Sequence, residues 1–328
     1  MATIYFEEKG EELLKRAGLS KAEFARRMGI KKQNVNALFK TKNLETIHRA
    51  AEVFGVPFEL LVSYTSEPEP TGCVFPEPSP YEIALTTWGE VKQVKDYQMA
   101  ILPWGATEPH NGHLPYCTDV ILATAIGLDV AARAHDAGVE VRVLPGIPLG
   151  SQNPGQTQLP FCLHASQQTQ MAILQDIVAS LERCGIHRLL ILNGHGGNTF
   201  KGLIRDLAVQ KPDFLIAQSD WFTFVPRKDY FEEKIDDHAG EQETSVMMYY
   251  HPELVMMEYA SDGASKPFAI SGLREKVGWI PRDWAKISAD TGVGNPLKSS
   301  PEKGRKYAQV VVEKIAALVV DLCTKELY

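Results

Sequence analysis

Residues 98–119 read QMAILPWGATEPHNGHLPYCTD, and the fold turns on this stretch. Met99-Ala100-Ile101-Leu102 is a short apolar run that predicts a buried strand, ended by Pro103 and Gly105. Glu108, His110, His113 and Asp119 follow directly. In extended chain, side chains two apart point the same way, so Glu108 and His110 can face one pocket. Asp119 comes after a Gly/Pro-broken loop, just before a new helical pattern. In α/β proteins, ligands bind beyond the carboxyl ends of buried strands. Carboxylates and imidazoles together suit zinc, manganese or ferrous iron. Read alone, the stretch fits equally well a polar loop joining a strand to a helix.

Two later stretches bear on that choice. Leu189-Leu190-Ile191-Leu192 predicts a second buried strand, which runs into Asn193-Gly194-His195-Gly196-Gly197-Asn198. Residues 237–245, DHAGEQETS, open a helix. In this order the three stretches resemble the creatininase family of metal-dependent amidohydrolases. That family carries a Glu-x-His…Asp segment, an Asn-Gly-His strand end and a His-x-Gly-x-x-Glu-Thr-Ser segment. The resemblance spans roughly residues 80–325, and three ordered motifs are far more specific than one.

The resemblance implies a three-layer α/β/α sandwich and two divalent metal ions per chain, zinc, manganese or ferrous iron. It implies that Glu108, His110, Asp119 and His195 bind them, with Asp119 bridging. Two cations a few Å apart need a shared anionic ligand, and they bring a bound water to ionise near pH ~7. Creatininase itself has a further acidic ligand two residues after the strand-end histidine, where this chain has Gly197. Glu243 is therefore expected to complete the second site, with Glu241 behind it. His238 matches the histidine that passes a proton to the leaving nitrogen, work that suits an imidazole. Trp221 and Asn198 are expected against the substrate. His113 is expected to orient the loop. Two aromatic walls of creatininase are replaced here by Gly196 and Lys234, which argues against creatinine, a flat ring that wants stacking surfaces.

The rest of the chain sets the context. Its 328 residues, 44% hydrophobic and 23% charged, are those of a globular protein long enough for two domains. No apolar run approaches a membrane span of ~18 residues, and MATIYFEEKG at the start lacks a signal-peptide pattern. Cys73, Cys117, Cys162, Cys184 and Cys323 are odd in number and scattered, as expected of reduced thiols in a cytoplasm. Residues 1–64 hold 11 Lys/Arg against 8 Asp/Glu, a balance of +3 that leaves −10 for the remainder of a chain of net charge −7. The two parts are expected to meet different partners.

Residues 7–64 predict five short helices. Glu11–Ala17 is the first. Ser20 and Glu23 form a capping-box pattern for the second, which Gly29 ends. The third begins near Lys31, with Val35, Leu38 and Phe39 inward and Lys31, Lys32, Gln33, Asn34, Asn36 and Lys40 outward. The fourth buries Leu44, Ile47, Ala50, Val53 and Phe54, and the fifth starts after Pro57. A capped helix, a Gly turn and a polar basic helix resemble the phage-repressor-type helix-turn-helix family, whose second helix enters the major groove. The six outward residues are thus expected on double-stranded DNA. A small docking or dimerisation bundle with solvated lysines is the alternative.

Residues 65–80, TSEPEPTGCVFPEPSP, predict a linker, and 81–328 form the metal-dependent domain. Strands are expected at Met99–Leu102, Val139–Leu144, Leu189–Leu192 and Phe214–Ala217. Helices are expected at Val120–Ala137, Ser166–Cys184, Thr199–Gln210, Glu241–Tyr250 and Pro301–Lys325. That alternation predicts a mainly parallel sheet covered on both faces. Gly150–Pro160 is a loop long enough to border a pocket. The expected protein is a cytoplasmic, homo-oligomeric amidohydrolase cutting a C–N bond of a small cyclic or formylated amide. The alternative is a transcription regulator whose creatininase-like domain senses a small effector.

Overall fold

The computed structural model describes residues 2–4, 6–64, 79–93 and 96–328. The linker expected at 65–80 lies outside them except for Ser79 and Pro80. The chain divides into two compact units, residues 1–77 and 78–328.

In the first unit, β1 (Ala2–Ile4) is followed by α1 (Phe6–Arg16), α2 (Lys21–Met28), α3 (Val35–Phe39), α4 (Leu44–Phe54) and β2 (Val62–Tyr64). Ser20 caps α2, its Oγ accepting from the Glu23 amide, and Gly29 ends it at φ 70°, where an L side chain is disfavoured. The capping box is only half formed: the Glu23 carboxylate turns outward to Arg26 and Arg27. Asn43 caps α4 in the same way, through the Thr46 amide. Phe24, Phe39, Phe54, Ile47 and Leu13 fill the core, and Phe24 stacks on Phe54 with ring centroids 4.6 Å apart. Three details differ from expectation. The third helix opens with a 3-10 turn at Lys32–Asn34, and the fifth is only a 3-10 turn, Phe58–Leu60. The antiparallel pairing of β1 with β2 has no sequence signal, because three residues are too few to show a period.

The second unit begins with α5 (Trp88–Val91), β3 (Met99–Trp104), α6 (Thr118–Asp136), β4 (Val141–Val143), α7 (Gln167–Arg183), β5 (Arg188–Asn193), α8 (Lys201–Gln210) and β6 (Leu215–Asp220). It continues with α9 (Glu241–Tyr250), α10 (Ser271–Arg274), α11 (Trp284–Ile287) and α12 (Pro301–Thr324). The four strands form one parallel sheet in the order β4-β3-β5-β6. Period-2 alternation splits β3 between two cores. Met99 and Ile101 pack with Leu190 and Leu192 against α6, α9 and α12. Ala100, Leu102 and Trp104 pack with Leu189 and Ile191 against α7 and α8. Both faces are therefore covered by helices, which gives the three-layer α/β/α sandwich. From β3 the chain goes to one side for β4 and to the other for β5, so the crevice between β3 and β5 is a topological switch point.

Candidate metal centre

The strand ends meet in register at that crevice: Trp104 pairs with Asn193, and Asn193 with Asp220. Glycine lets the N-terminus of α6 approach. A Cβ on Gly105 would lie 2.4 Å from Asp119 Cβ, and one on Gly194 would lie 2.3 Å from the Asp119 carbonyl oxygen. Asp119, in the first turn of α6, is thereby seated between the ends of β3 and β5.

Around Asp119 the structure gathers Glu108, His110, His195 and Glu243, residues up to 135 positions apart in sequence. His110 Nε2 lies 3.0 Å from Asp119 Oδ1 and 3.7 Å from Glu243 Oε1. His195 Nδ1 lies 3.0 Å from Glu108 Oε1 and 3.2 Å from Asp119 Oδ2. Two potential ligand triads result, Glu108-Asp119-His195 and His110-Asp119-Glu243, and Asp119 belongs to both. A third grouping joins Glu108 and His110 to His238.

Each imidazole directs one nitrogen to a backbone carbonyl. His110 Nδ1 faces the Glu108 carbonyl at 2.9 Å, His195 Nε2 that of Ser151 at 2.8 Å, and His238 Nε2 that of Pro109 at 2.9 Å. The other nitrogen of each is left toward the carboxylates, the arrangement that orients metal-binding histidines. Gln156, from the loop expected to border a pocket, donates to Glu108 Oε2 at 2.7 Å.

The electrostatics call for cations. Burial disfavours charge on Glu108, but His195 and His238 outweigh it and hold the carboxyl below its usual range. Asp119 is likewise held low against burial, by His110 and His195. Burial leaves the Glu243 carboxyl raised despite His110 and His238. On the imidazoles, burial opposes protonation. Even so, Asp119 and Glu243 push His110 up to about 10, and Glu108 and Asp119 raise His195 well above its ordinary value. Asp119 Oδ2 is buried without a well-aligned hydrogen bond, although His195 Nδ1 is near. Two buried carboxylates, the half-buried Glu243 and an unsatisfied oxygen fit a divalent-metal donor set of the N/O type.

The remaining sequence candidates fall as follows. Glu241 is fully buried away from the triads: its Oε2 accepts from the amides of Glu232 and Glu233, and its Oε1 from Lys303. His113 bonds Thr244 Oγ1 at 2.8 Å, and burial, aided by His110, lowers it to about 4. Trp221 lines an inner cavity of about 330 Å³ together with Asp119, His195, His238 and Glu243. Asn198 instead ties loops together, its amide bonded to Ser151 N, Gly105 O and Asn193 Oδ1. Lys234 is exposed and borders neither this inner cavity nor the outer one beside it. Missed in the sequence were Arg227 and Asp236 in the inner cavity, and Trp284. Trp284 stands edge-on to His238, its ring centroid 5.5 Å away. An outer cavity of about 1020 Å³ shares His195 and His238 and is walled by residues 265–293. These residues come from loops and the four-residue helices α10 and α11, too short to show a period, so the sequence gives no signal for them.

In the first unit Lys31, Lys32, Gln33, Asn34, Asn36 and Lys40 are all exposed. Asn36 Oδ1 accepts from Lys21 at 2.8 Å, and Lys40 pairs with Glu7 at 3.2 Å. No helix among the described residues is long and apolar enough to cross a membrane.

Comparison with known proteins agrees with this geometry. Residues 84–319 match the family described as creatininase (creatinine amidohydrolase), and residues 11–61 match a helix-turn-helix family. The chain is 27% identical over 226 residues to a mycofactocin precursor peptide peptidase of Mycobacterium ulcerans, covering 66% of this chain and 83% of that relative. It is 27% identical over 237 residues to a creatinine amidohydrolase of Pseudomonas putida, covering 66% and 86%. The solved structure of a Bacteroides fragilis protein given as a candidate creatinine amidohydrolase superposes with a TM-score of 0.75. It is 54% identical and covers 76% of this chain and 99% of its own. A Glu-to-Gln mutant of creatininase in a zinc-zinc form superposes at 0.63 with 26% identity, covering 74% and 98%.

Proposed function

The chain belongs to the creatininase family, and on that premise we propose that it is a metal-dependent hydrolase of an amide C–N bond in a small cyclic or formylated amide. The observation that carries this reading is the sharing of Asp119 between two triads. Glu108, Asp119 and His195 would hold one divalent ion, and His110, Asp119 and Glu243 the other. Bound there, the ions supply an ionised water as nucleophile and a Lewis acid for the amide carbonyl.

The protein's own groups do the rest. Ser151, Glu108 and Pro109 fix the histidines through their carbonyls, so the donor atoms are held before substrate arrives. His238, with Nε2 on the Pro109 carbonyl, keeps Nδ1 toward the cluster, 3.7 Å from Glu108 Oε1. From there it can deliver a proton to the leaving nitrogen. Trp221 and Phe222 give the inner cavity apolar walls that hold a substrate and limit water. Gly197 supports Glu243 as the remaining acid, since a Cβ there would lie 2.3 Å from the Ser151 carbonyl oxygen. A longer side chain at 197 could not enter without moving the 150–160 loop.

The helix-turn-helix unit is read as a DNA-binding module, on the exposed face of Lys31, Lys32, Gln33, Asn34, Asn36 and Lys40. A second reading, a regulator whose metal domain senses an effector with little turnover, is favoured by that attachment alone. Metal analysis of the purified protein, followed by a panel of cyclic and formylated amides, separates them. A sensor would bind panel members and release them unchanged.

A further inference from the structure

We propose that Arg227 makes the inner cavity an anion subsite, selecting amides that carry a carboxylate close to the scissile bond. The inference rests on the metal-hydrolase reading above. Arg227 lines the cavity with Trp221, Asp236, His238 and Glu243. Its side chain is 38% exposed, and its ion-pair partner, Asp236 Oδ2, stands 3.8 Å away, beyond hydrogen-bond reach. Asp236 Oδ2 instead accepts from the Gln242 amide at 3.0 Å. A guanidinium has five N–H donors, and among the described residues Arg227 makes no hydrogen bond with any of them.

Charge does not oppose this. Glu108, Asp119 and Glu243 carry three negative charges, and two divalent ions carry four positive. Arg227 is offset by Asp236, and Arg282 by Asp237, 2.5 Å away. With the ionised water counted as well, the loaded site is about neutral, so the unengaged Arg227 donors decide for an anion. The inner cavity has room for a small acidic end, and the outer cavity for the remainder of the molecule. Planar guanidinium geometry suits bidentate contact with a carboxylate.

The test is calorimetric titration of zinc-loaded full-length protein with a matched pair that it cannot hydrolyse, N-(methylsulfonyl)glycine and neutral N-(methylsulfonyl)ethanolamine. Wild type should bind the acid at least ~10-fold tighter, the effect of one good charge-assisted contact. Arg227→Gln should bind the two within about 3-fold of each other at unchanged zinc content, and Arg227→Lys should fall between. No preference in wild type, or one that survives in Arg227→Gln because the metals alone hold the acid, overturns the inference. Failure to load zinc overturns the metal reading as well, and metal analysis of each sample distinguishes the two failures.

Discussion

Glu241 and Lys303 form an ion pair with Oε1 and Nζ 2.5 Å apart, the carboxylate fully buried at the start of α9. Glu243, two residues on, faces His110 instead. Neighbouring glutamates in one helical turn thus have separate duties. Glu241 anchors the Glu232–Glu233 backbone and Lys303, and Glu243 joins the acidic cluster.

Glu241→Gln should therefore destabilise the fold by roughly 1–3 kcal/mol, because Lys303 loses its buried partner and keeps only the exposed Glu232, 3.0 Å away. Metal content should stay at the wild-type level. Glu243→Gln should do the reverse, with little loss of stability and about one ion fewer per chain. Denaturant unfolding and metal analysis of both variants check this. Two retained ions in Glu243→Gln would remove it from the ligand set.

Creatinine should be a poor substrate. Gly196 has open space where a side chain would project, and Lys234 is exposed to solvent. Neither offers the stacking face that a flat ring needs. Measured turnover should fall well below kcat/KM of ~10⁴ M⁻¹s⁻¹, the lower range of ordinary enzymes. A value at or above it would mean that Trp284 or Phe222 supplies the missing wall.

Much of this was legible beforehand. The apolar runs at Met99 and Leu189 became β3 and β5, and α9 spans Glu241–Tyr250 as its pattern predicts. Glu108, His110 and Asp119 stood out beyond the end of the first strand, and the resemblance to the family's three motifs is what joined His195 to them. What periodicity could not reveal lies in irregular chain. Arg227 sits on a 3-10 turn and Trp284 on the four-residue α11. Their positions depend on tertiary contacts such as Trp284 N to Pro154 O, 2.7 Å. Asn198, expected against the substrate, takes part in loop closure through Ser151 N, Gly105 O and Asn193 Oδ1, contacts between segments that periodicity does not show.

Asp236 sets a pH dependence of stability. Burial raises its carboxyl from 3.8 to about 6, so the folded state keeps a proton that the unfolded chain has lost. Its contribution is fully present below the unfolded value and is lost as pH rises through the folded one. Relative to Asp236→Asn, wild-type stability should fall between about pH 4 and 6 by roughly 2–3 kcal/mol in total. Parallel curves of unfolding free energy against pH for the two proteins would contradict this.

Full-length protein should bind DNA with strong salt dependence, since phosphate contacts release counterions. Lys31→Ala with Lys32→Ala should weaken binding to all sequences. Asn34→Ala should relax preference at one base pair, at a cost of about 1–3 kcal/mol. Mobility shifts with a randomised pool at low salt check both. If nothing shifts, the exposed face is a docking surface, and the hydrolase reading stands.

The central claim is that Asp119 bridges two divalent ions, and metal content is its most direct measure. Full-length protein reconstituted with zinc or manganese and freed of excess ion should carry close to two ions per chain, and Asp119→Ala close to none. A wild-type protein that binds no metal, or an Asp119→Ala variant that keeps both ions, would contradict it.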